Sequence, residues 1–91
     1  MKTIPKKLFN KVISTTRLYW GSSLRNGEPD KGLLYKRIEL ATQLQEQTGI
    51  DWLAITDFLD SIVKTNGLQP DAENDEIYCA LRCLGWEVKD E

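Results

Sequence analysis

The chain has 91 residues, of which 41% are hydrophobic and 29% are charged, and its formal net charge is −2. This length and composition predict one globular domain over residues 1–91. No apolar run approaches the roughly 20 residues of a membrane helix, and no secretory signal precedes the domain, so we expect a cytoplasmic protein without a membrane partner.

The first predicted helix covers about residues 5–20, after a frayed start at residues 1–4. Pro5 suits the first turn, because the N–H that it lacks has no helical partner there. One side of this helix is an apolar stripe of Leu8, Phe9, Val12, Ile13, Thr16, Tyr19 and Trp20. The other side is polar and basic, with Lys6, Lys7, Asn10, Lys11, Ser14 and Arg17. Gly21 is expected to end the helix and to begin a polar loop over residues 21–30, which contains no phosphate-binding motif.

Two further helices, about residues 31–47 and 52–65, are predicted to meet at a tight turn. Gly49 can adopt the left-handed conformation that ends a helix, and the carboxylate of Asp51 can cap the next one. Ile50 and Ile55 have the spacing of a hydrophobic staple. The core stripes of the two helices are Leu33, Leu34, Ile38, Ala41 and Leu44, and then Ile55, Phe58, Leu59, Ile62 and Val63.

Five positions of this corner, Leu44, Gly49, Ile50, Ile55 and Phe58, resemble the skeleton of helix-turn-helix DNA-binding domains. The resemblance implies that DNA would face Trp52, Leu53, Thr56, Asp57, Asp60 and Ser61. Gln45 departs from the family, which usually has a small residue at that position. The implied face also carries two carboxylates and no Lys or Arg before Lys64. Because DNA affinity depends largely on cations near phosphates, these acids oppose DNA binding by the third helix.

The fourth predicted helix covers about residues 74–84, which completes an all-α, compact four-helix domain with a helix-turn-helix-like corner between the second and third helices. Its start is acidic, with Asp71, Glu73, Asp75 and Glu76, and such carboxylates complement the helix dipole. The segment does not fit a calcium loop, because Glu76 stands where Gly is required and Arg82 where Glu is required. We therefore predict no calcium site.

The end of the chain contains two cysteines and a tryptophan. Cys79 and Cys83 share a helix face, but the chain has no His and no third Cys, so we predict buried small side chains and no metal site. Gly85 is expected to end the helix. Trp86 and Val88 alternate with polar residues, which favours a short extended tail packed on the bundle.

The residue types do not favour catalysis. Without His, the chain lacks the commonest general base, and it has no nucleophile or nucleotide-binding motif, so we expect neither an enzyme nor a cofactor. Charge is unevenly distributed: residues 1–37 carry nine Lys and Arg against two acids, and residues 38–91 carry three against twelve. The two parts can attract each other within the fold, or each can meet a charged partner.

Two functional hypotheses follow from these patterns. The first is a small regulatory protein that binds another protein, including one that itself binds nucleic acid, through an acidic surface of Trp52, Asp57, Asp60, Asp71, Glu73, Asp75 and Glu76. The second is direct binding of nucleic acid through Lys6, Lys7, Lys11, Arg17 and Arg25. Self-association through the oppositely charged ends is a third possibility.

Overall fold

A computed structural model describes residues 2–66 and 74–90. It confirms an all-α domain with four helices, to which a short pair of strands is added. In chain order the elements are β1 (Lys2–Pro5), α1 (Lys6–Asn26), α2 (Lys31–Thr48), α3 (Trp52–Asn66), α4 (Asp75–Cys83) and β2 (Trp86–Lys89). Within the described ranges, none of the helices has both the length and the apolar character needed to cross a membrane.

Helix α1 is longer than predicted: it continues through Gly21 to Asn26, and Gly27 is its C-cap. Gly27 has a φ of 75°, a conformation that glycine adopts without a steric penalty. Gly21 and Ser22 are buried inside the helix instead of beginning a loop. The Ser22 hydroxyl donates to the carbonyl of Tyr19 and accepts from the N–H of Asp30, at 2.7 and 3.1 Å. These contacts link the last turns of α1 to the start of α2, and the connecting loop is shorter than expected.

The N-terminal segment is ordered, and the prediction of a frayed start is wrong for the described residues of that segment. Residues 2–5 form β1, which pairs in parallel with β2 in a register that places Lys2 opposite Trp86 and Ile4 opposite Val88. Ile4 is only 1% exposed and belongs to the main core. The predicted extended tail at residues 86–89 is confirmed. Its strand partner was not predicted, because pairing between segments so distant in sequence leaves no local pattern.

The core collects residues from every helix and from β1. Its members are Ile4, Leu8, Phe9, Val12, Ile13, Leu44, Ile55, Leu59, Val63, Ile77 and Leu81. The predicted apolar stripe of α3 is confirmed, with Phe58 and Ile62 partly buried against this core. In α2, burial is concentrated at Arg37, Ala41 and Leu44, and the leucines of its first turn are only partly buried.

Local hydrogen bonds hold the corner between α2 and α3. The N–H of Gly49, whose φ is 79°, donates to the carbonyl of Gln45 at 2.8 Å. The carboxylate of Asp51 accepts from the N–H of Leu53 at 2.9 Å, as its predicted capping role requires. Gln45 contributes a contact that was not predicted: its Oε1 accepts from the N–H of Trp52 at 2.8 Å. The residue that departs from the helix-turn-helix pattern thus caps the first turn of α3.

We expect the substitution Gln45→Ala to lower the free energy of unfolding by about 1 kcal/mol, because the N–H of Trp52 loses its acceptor. Urea denaturation measures this change. Gln43→Ala is the control, since Gln43 is an exposed residue of the same helix, and it should stay within about 0.5 kcal/mol of the wild type. Equal stability of the two variants would show that the hydrogen bond between Gln45 and the N–H of Trp52 does not contribute measurably to the free energy of unfolding.

Candidate functional site

Asp60 does not lie on the exposed acidic surface where it was expected. Its carboxylate forms an ion pair with the guanidinium of Arg37, and the two side chains are 25% and 8% exposed. The same carboxylate accepts from the indole N–H of Trp20 at 2.9 Å. This arrangement joins α1, α2 and α3. Because Asp60 is already paired inside the protein, it is poorly placed to meet an external cation.

Aromatic rings complete this internal cluster. The guanidinium carbon of Arg37 lies 4.8 Å from the centre of the Tyr19 ring, and Nζ of Lys64 lies 3.9 Å from the centre of the Trp20 ring. Both distances are within the range of cation–π attraction. The Arg37–Asp60 pair and the Lys6–Asp90 contact of 3.7 Å each join the basic first part of the chain to its acidic second part. Some of the basic residues of the first part of the chain therefore pair with acidic residues of the second part within the fold.

Two residues of the predicted acidic surface, Trp52 and Asp57, belong to the exposed corner between α2 and α3. We name it the corner surface and define it as Gln45, Gly49, Asp51, Trp52, Leu53 and Asp57. All of these except Asp57 line a depression of about 570 Å³. Leu53 is 51% exposed, Trp52 is half-buried, and Asp51 and Asp57 are exposed. Thr56, which the helix-turn-helix resemblance placed towards DNA, is buried, and its hydroxyl donates to the Leu53 carbonyl at 3.1 Å.

The remaining predicted acids belong to the start of α4. Asp75 and Glu76 are exposed in its first turn, whereas Asp71 and Glu73 lie outside the described residues. Helix α4 packs against β2, and its Tyr78 donates a hydrogen bond to the Asn10 side chain of α1. None of the described residues of α4 lines the depression at the corner.

The predicted basic residues do not share one environment. Lys7, Lys11 and Arg25 are exposed, while Lys6 lies near Asp90 and the Tyr78 ring. Arg17 is 3% exposed and donates to Asn74 Oδ1 at 2.6 Å. Burial lowers the pKa of the Arg17 guanidinium, an effect that the electrostatic interaction with Tyr78 partly opposes. The expectation that Arg17 lies on an exposed basic face is therefore wrong.

A groove between α1 and α2 gathers some of the exposed basic residues. We name it the α1–α2 groove; its volume is about 470 Å³, and its lining residues are Asn10, Lys11, Ser14, Thr15, Leu18, Lys36 and Leu40. Lys36 was missed as a candidate, because it lies on a different helix from the predicted basic face. Lys11 and Lys36 come together only when α1 and α2 pack.

Cys79 and Cys83 are exposed, so the prediction that they are buried is wrong. Ile77 and Leu81 occupy the inward face of α4 at the same four-residue spacing. A residue two positions further along a helix is rotated by about 200°, which places both thiols on the opposite side. No cluster of three or more potential metal-binding side chains occurs among residues 2–66 and 74–90.

A comparison of the chain with protein-family models, with curated proteins and with solved structures finds no match in any of the three. We therefore infer function from the exposed chemistry of the corner surface and the α1–α2 groove.

Proposed function

We propose that this protein binds a protein partner through the corner surface. The observation that carries the proposal is the exposure of Leu53, which is 51% accessible beside the half-buried Trp52. Large apolar side chains at the centre of an interface supply much of its binding energy, and tryptophan is enriched among such residues. The depression beside them can receive a side chain of the partner.

The backbone of the corner supports this role because it is held before any partner arrives. Gln45, Gly49 and Asp51 each take part in a hydrogen bond at the turn, with distances of 2.8 to 2.9 Å. A surface that is already ordered loses less conformational entropy on binding, so more of the contact energy appears as affinity.

The charge of the corner surface favours a basic partner. Asp51 and Asp57 are exposed, and no Lys or Arg lines the depression among the described residues. Complementary charges speed association and exclude partners of the same sign. A protein with Lys or Arg around an apolar side chain fits this surface, and basic proteins that bind nucleic acid belong to that class.

The test compares Leu53→Ser with Leu24→Ser, since Leu24 is even more exposed, at 75%, but lies in α1 away from the corner. Affinity capture with the wild-type chain and both variants identifies proteins that require Leu53, and titration calorimetry with the purified partner measures their affinity. We expect Leu53→Ser to weaken binding roughly tenfold or more and Leu24→Ser to leave it unchanged. Asp57→Asn should slow association and reduce its dependence on salt.

Equal loss of binding in both leucine variants would overturn the proposal, since it would indicate general hydrophobic adhesion. Direct binding of nucleic acid is the competing proposal, carried by the exposed Lys7, Lys11 and Arg25. Fluorescence anisotropy with DNA and RNA at low and physiological salt separates the two. Salt-sensitive binding that is lost in a Lys7→Gln, Lys11→Gln variant but kept in Leu53→Ser would replace the protein-binding proposal.

A further inference from the structure

The α1–α2 groove presents hydrogen-bond donors that the protein itself does not use. The side chains of Lys11, Ser14 and Lys36 line it and form no hydrogen bond or ion pair with the described part of the chain. The side-chain oxygen of Asn10 accepts from the Tyr78 hydroxyl and, at 3.5 Å, from the side-chain amide of Asn74, and the side-chain amide of Asn10 has hydrogens left to donate. No carboxylate is among the described lining residues. The groove therefore offers positive charge and donors, which is the chemistry that recognises an anion.

Two aliphatic side chains line the groove. Leu18 is 43% exposed on α1, and Leu40 lines the facing side from α2. No aromatic side chain is among the described lining residues, so the groove offers no surface for stacking nucleic-acid bases. An aliphatic chain of the ligand would cover Leu18 and Leu40 and remove them from water.

We propose that the α1–α2 groove binds a small amphiphilic anion. Its head group, a phosphate or a carboxylate, lies between Lys11 and Lys36 with Ser14 and Asn10 as further donors, and its aliphatic chain lies on Leu18 and Leu40. The volume of about 470 Å³ is in the range of sites for small molecules. This inference goes beyond the proposed function, because the groove and the corner surface share no lining residue.

The experiment follows backbone amide signals of the full chain by two-dimensional NMR during titration with octyl phosphate, kept below its micelle concentration. Inorganic phosphate and octyl glucoside are titrated separately, to supply the head group and the alkyl chain alone. The key variant carries Lys11→Gln with Lys36→Gln. Its matched control carries Lys7→Gln with Lys31→Gln, which removes the same charge from exposed lysines that do not line the groove.

We expect octyl phosphate to give saturable shifts at the groove residues, with binding weakened roughly tenfold in the Lys11, Lys36 variant and nearly unchanged in the control. Leu18→Ala should weaken the binding of octyl phosphate severalfold without affecting the binding of inorganic phosphate. This difference would identify the contact between Leu18 and the alkyl chain. Equal weakening in both lysine variants would overturn the site, as would shifts outside the groove. Binding only to vesicles of anionic phospholipid, with none to monomeric octyl phosphate, would also overturn it in favour of a membrane surface.

Discussion

Replacement of Asp60 by alanine is expected to lower the free energy of unfolding by about 3 kcal/mol. The substitution leaves the guanidinium of Arg37, which is only 8% exposed, without its carboxylate, and it removes the acceptor of the Trp20 indole N–H. Breaking a buried ion pair from one side costs about 3–5 kcal/mol, and we take the lower end because the Asp60 side chain is 25% exposed. Urea denaturation followed by tryptophan fluorescence measures the change.

Asp57→Ala is the matched control, because Asp57 lies on the same helix, is exposed, and should change stability by less than about 0.5 kcal/mol. A joint replacement, Arg37→Met with Asp60→Leu, should recover much of the loss, since no buried charge then remains unpaired. A small effect of Asp60→Ala, comparable to that of Asp57→Ala, would show that the ion pair is as weak as an ordinary surface pair.

Replacement of Ile4 by alanine is expected to lower the free energy of unfolding by about 2–5 kcal/mol, the usual range when a fully buried isoleucine is replaced by alanine. Ile4 is 1% exposed and packs in the core, although it lies close to the first residue of the chain. A domain of this size has only about 5–15 kcal/mol of total stability, so the variant should unfold at a markedly lower urea concentration. If residues 2–5 were frayed, Ile4→Ala would leave the free energy of unfolding almost unchanged.

Thr3→Ala provides the control for Ile4, because Thr3 lies in the same strand with an exposed side chain. We expect Thr3→Ala to lower stability by less than about 1 kcal/mol through its weaker strand propensity alone. Amide hydrogen exchange supplies an independent readout, since slow exchange among the N–H groups of residues 2–4 requires that β1 and β2 remain paired. Fast exchange there in the wild-type protein would contradict the strand pairing.

Local features were predictable from the residue pattern because the interactions behind them extend only a few positions along the chain. The inward face of α3 follows from helical periodicity, with Ile55, Leu59 and Val63 buried as expected. Helix starts at Asp30 and Asp51 follow from side chains that cap amides within three residues. For the candidate site, the sequence pattern predicted Trp52 and Asp57 as members of an acidic surface that bears an aromatic side chain.

Other local rules were overridden by packing. Glycine often ends a helix, but Gly21 is buried inside α1. The hydrogen bonds of Ser22 with Tyr19 and Asp30 offset the low helix propensity of this glycine. Cys79 and Cys83 are apolar enough for a core, yet Ile77 and Leu81 occupy the inward face of α4. In both cases, packing against a neighbouring helix or strand determines which residues are buried, and the spacing of residues along the chain does not specify that packing.

The residue pattern therefore specified the four helices, the caps at Gly49 and Asp51 and the apolar face of α3, because these features depend on neighbours within about one or two turns. Only the packing of whole elements brings distant groups together: β1 pairs with β2, Asp60 contacts Arg37 and Trp20, and Lys11 and Lys36 line the same groove. Such contacts depend on how helices and strands pack against one another. As a result, acidic residues that look equivalent in the sequence have different environments in the structure. Asp57 is exposed, whereas Asp60 is paired with Arg37.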